Sequence, residues 1–271
     1  MFVSFPILGF IVLFPTFAIL IAKMVFPELM QIQWIFLIIS GILVGMSKVG
    51  VPGVSLIVIP ALAFVFGGKP STGVLLPMLM MADIFGVTYY HRHADWKHLV
   101  KLLPWAIVGL LVGLWVGDLV NEVWFKIIIA TLVFLSLGLM IRKKQPLKPV
   151  FYATSWWYAP LMGILGGFAT MMGNVAGPVF AIYLLAMHLP KSRFIGTTAW
   201  FFMIVNFIKF PLQMFIWNNI TTETLTMNLF TLPSIAAGAF AGIWLVKRIP
   251  EQTYRTFVVV VTALSAFLLL L

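Results

Sequence analysis

The sequence contains no cysteine and few charged residues. Without cysteine, disulfide bonds, iron–sulfur clusters and thiol chemistry are excluded. Charged side chains make up only 9% of the 271 residues and hydrophobic ones 62%, which is too apolar for a soluble domain of this length. A nucleotide-binding motif of the type G-x-x-x-x-G-K-[ST] is also absent, so nothing indicates a transport ATPase. The alternating polarity of membrane β-strands is missing as well.

Long apolar runs separated by short polar connections are present instead. They predict an all-α polytopic membrane protein. The first run lacks a basic start and a cleavage site of the A-x-A type, which favours a retained helix over a cleaved signal. The predicted helices lie near residues 2–22, 72–91, 98–118, 123–141, 194–217, 225–246 and 252–271, and two longer apolar stretches occupy 33–67 and 155–190.

Each of the two longer stretches is interrupted by glycine-rich sequence. The first carries GMSKVGVPGVS at residues 45–55. As one straight helix, residues 34–66 would measure about 50 Å, whereas the hydrocarbon core of a bilayer is about 30 Å thick. A helical hairpin broken within the membrane fits this length better than a single span does. A re-entrant loop and two full crossings place the flanking loops on the same side, so the charges of these loops are compatible with both.

The net charge of +10 arises largely from short loops beside the predicted spans. If each long stretch enters and leaves on one side, most basic residues gather on the same face, which the positive-inside rule assigns to the cytoplasm. The sequence therefore predicts a cytoplasmic N-terminus, a C-terminus outside the cell and no nucleic-acid partner. The basic loops lie at residues 91–101, 142–148, 191–193 and 247–255.

The chain also contains an internal repeat. PWAIVGLLVGLW at 104–115 is similar to PSIAAGAFAGIW at 233–244, and GILVGMSKVGVPG at 41–53 corresponds to GILGGFATMMGNVAG at 163–177. Each unit holds one hairpin and three spans, and this odd number of spans inverts the second unit relative to the first. Inverted repeats with broken helices are typical of secondary transporters, with the substrate at the repeat interface. Duplication for packing alone is the alternative.

The repeat predicts one membrane domain with four parts. These are an extra N-terminal helix and loop at 1–32, repeat one at 33–141, a basic cytoplasmic linker at 142–154 and repeat two at 155–271.

The glycine-interrupted hairpin, the following helix that begins STGVLLPMLMMADIFG at 71–86, and the G-x-x-x-G-x-W helix all occur twice. In these features the chain resembles the TauE/SafE family, the sulfite exporters or four-toluene-sulfonate uptake permeases, over residues 35–270. The resemblance implies transport of a small anion such as sulfite, a sulfonate or a related organic anion. Lys48 at the first tip and Met171, Met172 and Asn174 at the second depart from the more glycine-rich tips of the family, and this departure leaves a substrate other than sulfite open.

Lys48 is the residue that most strongly suggests an anion site. An ammonium group inside a membrane is unfavourable unless it meets an anion or water. Backbone N–H groups freed near glycine and the start of a new helix also attract anions. The alternative is a break near the membrane surface, where the lysine would reach the headgroups. The predicted substrate-binding residues are Ser47, Lys48, Gly50, Gly53, Ser55, Thr170, Gly173, Asn174, Gly177, Asn206 and Lys209.

Asp83 lies within an otherwise apolar helix and corresponds to Asn206 in the second repeat. Three roles fit an intramembrane carboxyl group here: a counter-ion to a lysine, a carrier of a coupling proton, or one half of a structural salt bridge. The histidines in HRHADWKH at 91–98 have a spacing that places them on different helix faces, so no metal site is predicted.

These patterns together predict a secondary transporter of small anions that works by alternating access and needs no cofactor. An anion channel is the nearest alternative. An intramembrane enzyme is less well supported, because the sequence shows neither paired carboxylates nor a set of metal ligands, so the protein is not predicted to be an enzyme. An assembly factor is a further alternative. The G-x-x-x-G motifs at 109–113 and 238–242 predict helix packing, either within one chain or across a homodimer.

Overall fold

A computed structural model of the chain describes residues 31–51, 53–121, 123, 124, 127, 128, 131, 155–251, 253, 254, 256–258 and 260. All the regular secondary structure in this part of the chain is helical. The helices are α1 Gln31–Lys48, α2 Ser55–Phe66, α3 Gly68–Tyr90, α4 Trp96–Leu119, α5 Tyr158–Gly173, α6 Ala176–Ala186, α7 Lys191–Phe215 and α8 Thr222–Arg248, with a 3₁₀ turn at His91–His93 between α3 and α4.

Five of these helices are long and apolar enough to cross a membrane. They are α1, α3 with its following 3₁₀ turn, α4, α7 and α8, and they confirm the prediction of an all-helical polytopic membrane protein. The predicted helix at 2–22, the linker at 142–154 and most of the predicted helices at 123–141 and 252–271 lie outside the described residues.

Both long apolar stretches are interrupted where glycine or asparagine allows a left-handed backbone. The first break, residues 49–54, separates α1 from α2 and contains Gly50 at φ 118° and Gly53 at φ 92°. The second break, residues 174–175, separates α5 from α6 and places Asn174 at φ 60°. Residues other than glycine and asparagine rarely adopt a backbone φ in this positive range.

The helices that follow the breaks are short. α2 has 12 residues and α6 has 11, so each is about 17–18 Å long. That is well below the thickness of about 30 Å of a bilayer core. At the end of α5, the backbone N–H of Asn174 donates to Thr170 O at 3.0 Å and that of Val175 donates to Ala169 O at 3.2 Å. These bonds cap the last free carbonyls of the helix.

The glycine-rich helices of the internal repeat pack closely within the chain. A Cβ atom at Gly109 of α4 would collide with the carbonyl oxygen of Ile164 in α5, and one at Gly238 of α8 would collide with that of Ile42 in α1. Ile42 and Ile164 occupy the same place in the two repeated stretches at 41–53 and 163–177. The G-x-x-x-G motifs therefore serve packing inside one chain.

The two most buried of the five long helices are α3 and α7, which lie side by side in opposite directions. Gly86 lies next to Ala199, and Gly73, nearer the start of α3, lies next to Asn219, just beyond the end of α7. Their buried polar residues, Asp83 on α3 and Asn206 on α7, lie between these two contacts. This arrangement brings polar groups of α3 and α7 close to the breaks in the helices.

Candidate functional site

Lys48 is the last residue of α1 and lies beside the first break. Its side chain is only 7% exposed. Its Nζ atom lies 2.8 Å from Oδ1 of Asp83 and 4.3 Å from the ring centroid of Phe202 on α7. The ammonium group is therefore held by a carboxylate on α3 and by the face of an aromatic ring, and both contacts favour a buried cation.

Asp83 on α3 contacts both Lys48 of α1 and Asn206 of α7. It is fully buried, and Nδ2 of Asn206 donates to its Oδ2 atom at 2.6 Å. The carboxylate thus uses one oxygen for Lys48 and the other for an amide that the sequence repeat aligns with it. This geometry is compatible with two of the roles predicted for Asp83, a counter-ion to a lysine and one half of a structural salt bridge.

Lys209, one turn beyond Asn206 on α7, is fully buried and turned towards the second break. Its Nζ atom donates to Thr170 O at 2.9 Å, to Thr170 Oγ1 at 3.3 Å and to Oδ1 of Asn174. These three acceptors are all neutral. In the described part of the chain Lys209 takes part in no ion pair, whereas Lys48 does.

A small cavity lies between the two breaks. Its volume is about 40 Å³, whereas one water needs roughly 10–15 Å³ by this measure. The cavity therefore has room for a few waters or for one small oxyanion. The predicted site residues that line it are Ser47, Lys48, Gly53, Ser55, Thr170, Asn174, Gly177 and Asn206. Across the first break, Oγ of Ser47 donates to Oγ of Ser55 at 3.0 Å.

The other predicted residues lie close to the cavity without lining it. Asp83 and Lys209 stand behind the wall, where they hold residues that do line it. Gly173 is buried at the end of α5. Gly50 lies in the first break, and its carbonyl oxygen accepts from the hydroxyl of Tyr254 at 2.9 Å.

Five lining residues were not predicted from the sequence. Four cavity residues share one face of α7, because Phe194, Thr198, Phe202 and Asn206 recur at intervals of four. Of these, only Asn206 had been predicted, and reading backwards from it at this spacing would have identified the other three. The remaining two, Leu79 and Ala181, lie on α3 and α6 and show no signal that sets them apart from other apolar residues.

The histidines of the loop at 91–98 make contacts both with α3 and with a distant helix. Nδ1 of His91 lies 2.9 Å from Thr88 O, and Nδ1 of His98 lies 3.1 Å from the hydroxyl oxygen of Tyr183. Within the described ranges, no three side chains of the metal-binding types come together.

Comparison with known proteins matched the chain to a protein family. A family model described as "Sulfite exporter TauE/SafE" matches residues 37–269, which is nearly the whole chain. No curated protein and no solved structure matches the chain.

Proposed function

The chain belongs to the sulfite exporter TauE/SafE family, and from this premise we propose that it is a secondary transporter that moves a small anion across the cytoplasmic membrane. The family is one of membrane transporters rather than enzymes. Sulfite, a sulfonate or a related organic anion is the proposed substrate. Its binding site is the cavity between the two breaks.

The observation that carries this proposal is the set of groups around that cavity. Both breaks contribute to its wall, and the ammonium group of Lys48 lines it together with the hydroxyls of Ser47 and Ser55. A buried ammonium beside hydroxyl donors and interrupted helices has the chemistry of an anion site. A cavity serving only helix packing would gain nothing from a buried charge there.

The proposed architecture is a pair of inverted repeats, 33–141 and 155–271, joined by the linker 142–154 and preceded by the helix and loop at 1–32. The contacts of α1 with α8 and of α5 with α4 support it, since each joins the first hairpin helix of one repeat to the glycine-rich helix of the other. Alternating access would then rock one repeat against the other around the cavity. The distribution of basic loops supports a cytoplasmic N-terminus and a C-terminus outside.

Uptake of radiolabelled sulfite into proteoliposomes containing the purified full-length protein tests this function. We expect saturable uptake that unlabelled sulfite and sulfonates inhibit. Lys48→Met should abolish uptake, because it removes the cation from the cavity wall. Lys69→Met is the matched control, since Lys69 lies away from the cavity in a partly exposed pair with Asp118, and it should retain uptake.

Two results would contradict the proposal. The first is the absence of any anion transport by well-folded protein. The second is wild-type uptake by Lys48→Met. Single-channel currents in planar bilayers would instead show that the protein is an anion channel.

A further inference from the structure

The two asparagine side chains in the cavity wall each have one amide atom held by a charged residue. Oδ1 of Asn174 accepts from the ammonium of Lys209, and Nδ2 of Asn206 donates to the carboxylate of Asp83. An ammonium group can only donate hydrogen bonds and an ionised carboxylate can only accept them. The two amides therefore cannot be flipped without losing these bonds.

In this arrangement one hydrogen-bond donor and one acceptor of the two amides lack a partner. Nδ2 of Asn174 and Oδ1 of Asn206 have no hydrogen-bond partner among the residues that the structure describes. Both residues line the cavity, and Asn206 is only 1% exposed. A buried polar atom without a partner is unfavourable, so a ligand that satisfies both atoms gains affinity from each.

The charges around the cavity add to one positive unit. Lys48 and Asp83 cancel each other in their ion pair, and among the residues that the structure describes the ammonium of Lys209 donates to neutral acceptors alone. A ligand with a single negative charge balances this excess. A dianion would leave a negative charge uncompensated in a buried site, which is strongly unfavourable.

We propose that the cavity selects a small oxyanion of net charge −1 that still carries one hydroxyl group. For sulfite this is hydrogensulfite in its hydroxyl form. Its O–H donates to Oδ1 of Asn206, and its other oxygens accept from Nδ2 of Asn174 and from the ammonium of Lys48. Lys209 is then a positioning residue that orients the Asn174 amide. This inference rests on the proposed transport function.

The test is sulfite uptake by proteoliposomes across the pH range in which hydrogensulfite loses its proton. The KM for total sulfite should rise with pH, while the KM calculated for hydrogensulfite alone stays constant. A constant KM for the dianion, or a KM for total sulfite that does not change with pH, would overturn the inference and leave transport established. A complete lack of sulfite transport would instead remove the proposed function itself.

Methanesulfonate separates the proton of the ligand from the protonation of the protein. It has the same single charge but no hydroxyl group. The titratable groups that face the cavity or stand directly behind it are Lys48, Asp83 and Lys209, and any change in their charge would alter binding of both anions. We therefore expect methanesulfonate to inhibit more weakly than hydrogensulfite, with an inhibition constant independent of pH. Equal inhibition by the two anions would overturn the inference.

A pair of variants tests the acceptor directly. Asn206→Leu should raise the KM for hydrogensulfite about tenfold or more, because a hydrogen bond to a charged ligand is lost, with a smaller change for methanesulfonate. Asn228→Leu is the matched control: Asn228 is fully buried, and its Nδ2 donates to Val74 O and Thr224 O away from the cavity. The Asn228→Leu variant should keep the wild-type preference for hydrogensulfite over methanesulfonate. If Asn206→Leu weakens the binding of both anions equally, Oδ1 of Asn206 does not accept from the ligand and the inference is wrong. If this variant does not fold, the pH dependence of uptake and the inhibition by methanesulfonate, both measured on the wild-type protein, still test the inference.

Discussion

The buried ion pair of Lys48 and Asp83 makes the strongest prediction about stability. Its charged atoms are 2.8 Å apart, and the side chains are 7% and 0% exposed. At an effective dielectric constant of about 20, the Coulombic attraction at this distance is about 6 kcal/mol. Desolvation of both groups offsets much of it, so the pair adds little net stability. Removing one partner alone, however, leaves an uncompensated charge, which costs about 3–5 kcal/mol.

The perturbation is a double-mutant cycle of Lys48→Met, Asp83→Asn and the two changes combined. Each single variant should lower the free energy of unfolding by about 3–5 kcal/mol. The double variant contains neither charge, so it should be more stable than either single variant. It should nevertheless fail to transport, because the cavity has lost its ammonium group. Recovery of stability without recovery of transport would separate the two roles of Lys48.

The assay is reversible unfolding of the purified protein in mixed micelles, followed by circular dichroism. A second cycle at Lys69 and Asp118 provides the control. That pair has a similar separation of 3.1 Å, but its side chains are 32% and 57% exposed, so its coupling energy should stay below about 1 kcal/mol. If the two cycles give equal coupling energies, or if the Lys48 and Asp83 changes are additive, the argument from burial is refuted.

Two further predictions concern packing and the second break. Alanine at Gly109 or Gly238 should lower the free energy of unfolding by about 1–3 kcal/mol, because a backbone carbonyl of the neighbouring helix must move; Gly166→Ala, with its nearest neighbour at 3.8 Å, should change it by less than about 0.5 kcal/mol. The Lys209→Met variant should have a free energy of unfolding about 1–3 kcal/mol lower than the wild type, since buried acceptors including Oδ1 of Asn174 lose their donor. Both are measured by the same unfolding assay, and stabilities equal to that of the wild type would contradict them.

Much of the fold could be predicted because its signals are local. Apolar length identified the membrane helices, and glycine-rich sequence identified both interruptions. Gly50 and Gly53 show why this works, since a backbone at positive φ needs glycine wherever it occurs in a chain. The repeat at 104–115 and 233–244 could likewise be recognised without coordinates, and it pointed to glycines that do pack against a neighbouring helix. The inversion of the repeats stays a prediction.

The site was predicted less completely, because it depends on which side chains meet. Lys48, Asp83 and Lys209 stood out as polar residues in apolar helices, yet nothing in the sequence indicated that Lys209 would face Thr170 instead of the cavity. The ring of Phe202 against Lys48 was missed for the same reason.

The sequence by itself determined that this is a helical membrane protein of the TauE/SafE family with two broken helices and a few buried polar groups. Composition, hydrophobic periodicity and glycine placement are local properties of the sequence, so they can be recognised without a structure. Only the tertiary structure decided the partners of those polar groups. Asp83 and Asn206 are 123 positions apart, and they meet because α3 packs against α7. That packing determines which amide atoms lack a hydrogen-bond partner among the residues that the structure describes.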